Sequence, residues 1–243
     1  MKNPEAGGIR SGGRYGRQAE AERNDLLVLH AARAVFAEQG ADAPVSAIAE
    51  QAGVGIGTLY RRYGSKEQLL QQLCVTGITQ TIAELRQAGE SEGTGWEVLA
   101  LYMTTAVEGR AGAFATLAGR FTVPEEVAAA NERAKALLEE LLHRGLDDGT
   151  VRSDVAAIDI THIIEMFSRY PRRTEEDDRA RRRMLVLTLD GLRGGHSGLP
   201  GPRPDWAGYQ RTWDQRAVLG PGSTRRVPKP AAGPGVGEGP PGG

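Results

Sequence analysis

From residue 25 to residue 192 the apolar positions of this chain recur at helical spacing, and glycine or proline stands wherever one helix must give way to the next. Val28, Leu29, Ala32, Val35 and Phe36 form a first stripe. It predicts a helix over 25–39, capped by Asn24 or Asp25 and ended by Gly40. Val45, Ile48, Ala49 and Ala52 form the face of a short second helix, and Gly53 supplies the turn after it. A third short helix fits Ile56 to Arg62, with Leu59 and Tyr63 facing inward. Ser65 and Gln68 make an S-x-x-Q capping box that opens a fourth helix over 66–88, with Leu69, Leu70, Leu73, Ile78, Ile82 and Leu85 on its apolar side. After a Gly- and Ser-rich break the pattern predicts helices over 96–109, 113–120, 124–147, 154–170 and 175–192. Pro124 starts the third of these, Ser153 or Asp154 caps the fourth and Pro171 ends it. A last short amphipathic helix after Asp205 would carry Trp206, Tyr209 and Trp213 on one side. From Gly220 onward Gly, Pro and Arg follow no period, which predicts disorder. The expected fold class is all-α.

Two short helices joined by a glycine turn make a helix-turn-helix, whose second helix can lie in the DNA major groove. The polar groups of that second helix suit the task. Thr58 and Tyr60 offer hydroxyls, Arg61 and Arg62 offer guanidinium forks, and no acid lies between Ile56 and Lys66. Lys66 stands in the first turn of the following helix, where free N–H groups and an ammonium together favour a phosphate. The candidate DNA contacts are therefore Val45, Ser46, Gly55, Ile56, Gly57, Thr58, Tyr60, Arg61, Arg62 and Lys66.

Residues 28–70 resemble the N-terminal DNA-binding domain of the TetR family of bacterial transcriptional regulators. Three pieces in order carry the likeness: VLHAARAVFAEQG, VSAIAEQAGV and GIGTLYRRYGSKEQLL. The resemblance implies an all-helical homodimer with a divergent C-terminal domain, often ligand-binding, that usually acts as a repressor. An activator or co-regulator on the same fold is the alternative. Two positions depart from the pattern. Pro44 stands where Thr or Ser is common, and Gly55 where Ser is frequent, so hydroxyl contacts to phosphate are absent at both. Pro44 would then occupy the first turn of its helix, with Asp42 or Ala43 as the preceding cap. The chain divides into an arm over 1–23, a DNA-binding domain over 24–70, a ligand-binding and dimerisation domain over 71–217, and a tail over 218–243.

Composition narrows the field further. With 243 residues, 40% of them hydrophobic and 25% charged, the chain is long enough for one or two packed domains. A formal net charge of −1 excludes a general nucleic-acid coat protein, so positive charge must be concentrated locally. The arm carries five basic against three acidic residues. It reads either as a solvated tail or as a minor-groove probe through Arg14 or Arg17. The run from Arg172 to Arg183, with six Arg against Glu175, Glu176, Asp177 and Asp178, reads as a solvated helix start or a second DNA contact.

Cys74 is the single cysteine, which rules out an intramolecular disulfide; it reads as a small core or interface hydrophobe, with a redox sensor as the alternative. There is no apolar leader or spanning segment, and a cytoplasmic protein is expected. The four histidines are scattered without ligand spacing, no cofactor motif is present, and no nucleophile–base constellation supports a helical enzyme. An effector pocket among the middle helices would be lined by Trp96, Tyr102, Met103, Phe114, Leu117, Phe121 and His162, with Arg110, Arg120 and Glu165 as further polar groups. The stripe Ile160, Ile163, Ile164 and Phe167, with Leu185, Leu189 and Leu192, is richer than one helix pair needs and predicts a dimer face.

Overall fold

The computed structural model describes residues 12–40, 42–117, 122–195 and 198–211; among these there is one isolated bridge, Val151 to Arg193, and no strand. The chain is all-helical: α1 Gly12–Gln39, α2 Val45–Gln51, α3 Ile56–Tyr63, α4 Lys66–Gly89, α5 Gly95–Glu108, a 3-10 helix Ala111–Leu117, α6 Glu125–Asp147, α7 Ala157–Ser168 and α8 Glu175–Gly191. A last short helix, α9, covers 206–211.

The apolar stripe of α1 closes with those of α2, α3 and the start of α4 into a first core around Leu29, Phe36, Ile48, Leu59 and Leu73. A second core, around Leu99, Met103, Leu142, Ile160 and Phe167, is shared by α4 to α8. The 24 residues of α4 run through both, a span of ~36 Å at 1.5 Å per residue. The 3-10 helix ties the two together from the other side. Leu117 belongs to the first core, and Phe114 meets Phe36 edge-on at 6.2 Å.

Several boundaries differ from the sequence expectation. Helix α1 begins at Gly12, not at residue 25, so the arm from residue 12 onward is helix and neither Asn24 nor Asp25 is a cap. The segment RQAEAER is made of good helix formers, and nothing in it stops the helix. Residues 1–11 and 218–243 lie outside the described residues, as do Arg120, Phe121, Trp213 and the side chains of Arg14 and Arg17. Pro44 is itself the N-cap of α2 and accepts no side-chain capping bond. Half of the expected box at α4 forms: Ser65 accepts from the Gln68 N–H at 3.1 Å, while the Ser65 N–H donates to the Tyr63 carbonyl at 2.9 Å.

Helix α7 starts at Ala157, later than expected. Its opening N–H, on Ala156, donates to the Asp159 carboxylate at 2.8 Å. Asp154 has another task. It pairs with Arg152 at 2.6 Å and accepts from the Leu199 N–H at 2.7 Å, pinning the segment that leads to α9. These partners hold the Asp154 carboxyl far below the usual carboxylate range, Arg152 contributing most. A carboxyl more acidic in the folded chain stabilises fully above its unfolded value of about 3.9, and that contribution is lost as pH falls from there toward the lower folded value. We expect the Leu199 amide to lose its protection from hydrogen exchange below about pH 4, and Asp154→Asn to show the same loss at neutral pH. Unchanged protection in the variant would remove Asp154 as the pin.

Candidate DNA-reading head and effector cavity

Helices α2 and α3 are joined across Gly53, whose φ of +67° is open to glycine and strained for other residues. Only Leu59 of α3 is buried, and it anchors the helix on the first core. That leaves Ile56, Gly57, Thr58, Tyr60 and Arg61 exposed along the opposite side, with Ser46 exposed at the start of α2 and Gly55 exposed as the N-cap of α3. Among the described residues Arg61 has no ion-pair partner. Lys66 is also exposed, and its Nζ donates to the Ala43 carbonyl at 3.4 Å.

Two of the expected contacts are engaged otherwise. Val45 is buried in the first core, because the first apolar position of a seven-residue helix has to anchor it. Arg62 pairs with Asp25 on α1 at 2.7 Å and lies over the Tyr63 ring. The Tyr63 hydroxyl donates to the same carboxylate at 2.6 Å, and burial with that bond pushes the phenol pKa well up. Arg62, Tyr63 and Asp25 thus brace α3 against α1. That leaves Ile56, Gly57, Thr58, Tyr60 and Arg61 as the candidate contacts on α3.

A cavity of about 420 Å³ lies in the body, walled by α4, α5, the 3-10 helix, α6 and α7, with α9 against it. Of the expected lining residues Tyr102, Phe114, Leu117 and Glu165 are there. Trp96, Met103, His162 and Arg110 are not. Met103 is fully buried in the second core. The Trp96 indole N–H donates to the Leu189 carbonyl at 3.0 Å and Arg193 lies over its ring at 3.6 Å, so it fastens α8. His162 is exposed, its ring 5.5 Å from that of Tyr209. Arg110, the one non-glycine residue with positive φ among those described, donates to the Ala34 carbonyl at 3.4 Å and approaches Glu38 at 3.5 Å. It clamps α1 to the end of α5.

Three features of the cavity were not expected from sequence. Arg33 reaches its wall from α1, the helix that also carries the reading head. A signal was present: Arg33 lies four residues after Leu29 and three before Phe36, on the buried stripe. Cys74 lines the cavity as well, and burial pushes its thiol up to about 12, which leaves it a weak nucleophile. The α9 segment supplies Trp206, Tyr209 and Gln210. It is fastened by the Trp206 indole N–H to Glu139 at 2.6 Å, by the Tyr209 hydroxyl to Glu165, and by Arg203 to the Val155 carbonyl at 2.6 Å.

The charge run that leads into α8 and fills its first turns is also less solvated than expected. Arg181 is 2% exposed and grips Glu108 through both nitrogens, at 2.8 and 3.2 Å. Arg172 donates to the Glu108 carbonyl at 2.8 Å and to that of Val107. Burial and the neighbouring Arg181 lower the Arg172 pKa to about 10. Among the described residues no group of three or more His, Cys, Asp or Glu could hold a metal ion, and no helix is long and apolar enough to cross a membrane.

An exposed helix-turn-helix carried on a helical body with its own cavity defines a DNA-binding regulator. Two family models match in chain order: bacterial regulatory proteins of the tetR family over residues 28–73, and the C-terminal domain of SbtR-like transcriptional regulators over 96–194. Among solved structures, a TetR regulatory protein from Mycobacterium vanbaalenii is 31% identical. The match covers 73% of this chain and 99% of that one, with a TM-score of 0.48. The ketosteroid transcriptional regulator KstR2 of Mycobacterium tuberculosis is 22% identical, with 78% and 99% covered and a TM-score of 0.50. The TetR regulator SCO0520 from Streptomyces coelicolor is 25% identical, with 70% and 98% covered and a TM-score of 0.48. No curated protein matches the chain. The two family models, which together match more than half of the chain, show that it belongs to the TetR family, and the protein is a DNA-binding transcriptional regulator.

Proposed function

We propose that this regulator is a cytoplasmic, homodimeric repressor that leaves its operator when a small molecule fills the cavity. The reading head, 24–70, docks α3 in the major groove. Thr58 and Arg61 face base edges, while Ser46, the Tyr60 hydroxyl and Lys66 meet phosphates. The body, 71–217, dimerises and holds the effector. The observation that supports this reading best is the exposed, acid-free side of α3 followed directly by Lys66.

The expected dimer face moves to other residues. Ile160, Ile164, Phe167, Leu185, Leu189 and Leu192 are all buried within the protomer. Helices α7 and α8 instead leave Met166, Met184, Val186 and Leu187 on the surface. The proposal places a second copy against these, continuing the two helices into a four-helix bundle.

Two variants separate the kinds of DNA contact. Lys66→Ala removes a cation facing phosphate, so affinity should fall nearly equally on operator and scrambled DNA. The salt slope should drop by about one unit per half-site. Arg61→Ala should cost about 1–3 kcal/mol on operator and relax the preference at one base position. A Lys66→Ala variant with unchanged affinity and salt slope would mean that the start of α4 does not touch DNA.

A further inference from the structure

Arg33 is 1% exposed, and its environment is incomplete. Nη1 donates to the Gln80 side-chain oxygen and to the Gly109 carbonyl, each at 3.2 Å. Nε is buried without a partner, and among the described residues no carboxylate comes within ion-pairing distance of the guanidinium. Its Cζ lies 5.7 Å from the centre of the Phe114 ring, and Gly77 leaves room for both, since a Cβ there would stand 3.0 Å from that ring. Glu84 is reached only by relay. The Gln80 amide that accepts from Arg33 donates onward to Glu84 at 2.8 Å, and the second Glu84 oxygen is itself buried and unpartnered. An arginine cannot shed its proton to escape such a site, so it stays charged and incompletely paired. Burial lowers its pKa, as expected for a desolvated cation.

The rest of the cavity sets the shape of what would complete Arg33. Its apolar wall is Ile78, Leu85, Tyr102, Phe114 and Leu117, and its other charged residues are Glu165 and the pair Lys135–Glu132, closed on itself at 2.6 Å. Where α9 meets the cavity stands Glu165, bonded to the Tyr209 hydroxyl. A second negative charge on a ligand would meet that carboxylate. We infer that the effector is an apolar monocarboxylate whose carboxyl group pairs with Arg33 and whose tail lies between α4 and α6 toward α9.

This rests on the proposed repressor reading and gives it a route. Arg33 and Asp25 share α1, eight residues or ~12 Å apart. Asp25 is the residue that braces Arg62 and Tyr63 of α3. A carboxylate drawn to Arg33 therefore pulls on the helix that fixes the reading head. The ligand shifts operator binding by as much as its affinities for the two positions of α1 differ.

The test is calorimetric titration of the full chain with decanoate and phenylbutyrate, each against the alcohol of the same skeleton, and with decylamine. The expected result is that each carboxylate binds about tenfold or more tightly than its alcohol, that decylamine does not bind, and that only the carboxylates release operator DNA. Arg33→Gln should abolish the preference. If that variant fails to fold, the wild-type comparison carries the test alone. Alcohols that bind as tightly as the acids and release DNA would overturn the carboxylate class and leave the repressor reading standing. Absence of binding by every probe would overturn both the class and the cavity as the effector site, whereas a gel shift without any probe still reports DNA binding separately.

Discussion

Leu187→Glu yields a well-folded monomer whose operator affinity is lower by about 10²- to 10⁴-fold, the range in which linking two sites raises avidity. Leu187 is 58% exposed on α8, with Val186 at 57% beside it and Met166 at 58% on α7. An aliphatic side chain left this far in water contributes little to the fold of its own protomer, so a carboxylate there leaves the melting temperature of the monomer unchanged. In the proposed dimer the same position lies between two copies of α8, where two glutamates would face each other in a desolvated seam. A monomer presents one α3, and the second half-site loses its tethered reader. Sedimentation velocity and a gel shift measure both effects. A Leu187→Glu variant that remains dimeric, or a monomer that binds operator as tightly as the parent, would contradict the proposed interface.

Gly95→Val destabilises the body by about 3 kcal/mol or more, the upper range for overpacking a close contact. A Cβ at Gly95 would stand 2.2 Å from the Gly145 nitrogen and 2.3 Å from its Cα, and a Cβ at Gly145 would stand 2.4 Å from a Val151 methyl. The obstacle is backbone, not the end of a flexible side chain, so the first turn of α5 would have to move off the last turn of α6. That movement would also cost the Gly95 N–H its 2.7 Å bond to Asp148 and strain the Thr94 cap, whose hydroxyl accepts from Glu97. For a chain of this length such a loss lowers the melting temperature by roughly 6–12 °C. Thermal denaturation checks it. A shift of less than about 2 °C would show that α5 and α6 separate easily. DNA binding well below the transition should persist, because Gly95 is remote from α3.

The helices and the reading head were legible because both are written locally. The stripes of α1, α4 and α6 follow a period, and the stop at Gly40 and the turn at Gly53 require residues free to take positive φ. What was not legible depends on which helix lies against which. Periodicity gives a face but not what covers it. The stripe of α7 and α8 therefore reads as a dimer seam, although it is buried in the second core, and the period does not mark the exposed Met166, Met184, Val186 and Leu187 between its members. Arg62 reads as a candidate DNA contact from its place beside Arg61; its partner Asp25 is 37 residues away on another helix. Arg110 looked like a ligand group, yet it is spent on α1. Arg33 broke an apolar stripe, which marked a buried charge but not the cavity behind it.

Two copies of this head are proposed to read one symmetric DNA site. Selection of binding sequences from random DNA with the purified protein, followed by footprinting of the selected site, decides whether they do. The expected outcome is one palindromic sequence bound with nanomolar affinity, protected symmetrically, with half-site centres a whole number of ~34–36 Å turns apart. Protection of a single asymmetric half-site, or affinity no greater than for scrambled DNA, would show that the heads do not act as a symmetric pair.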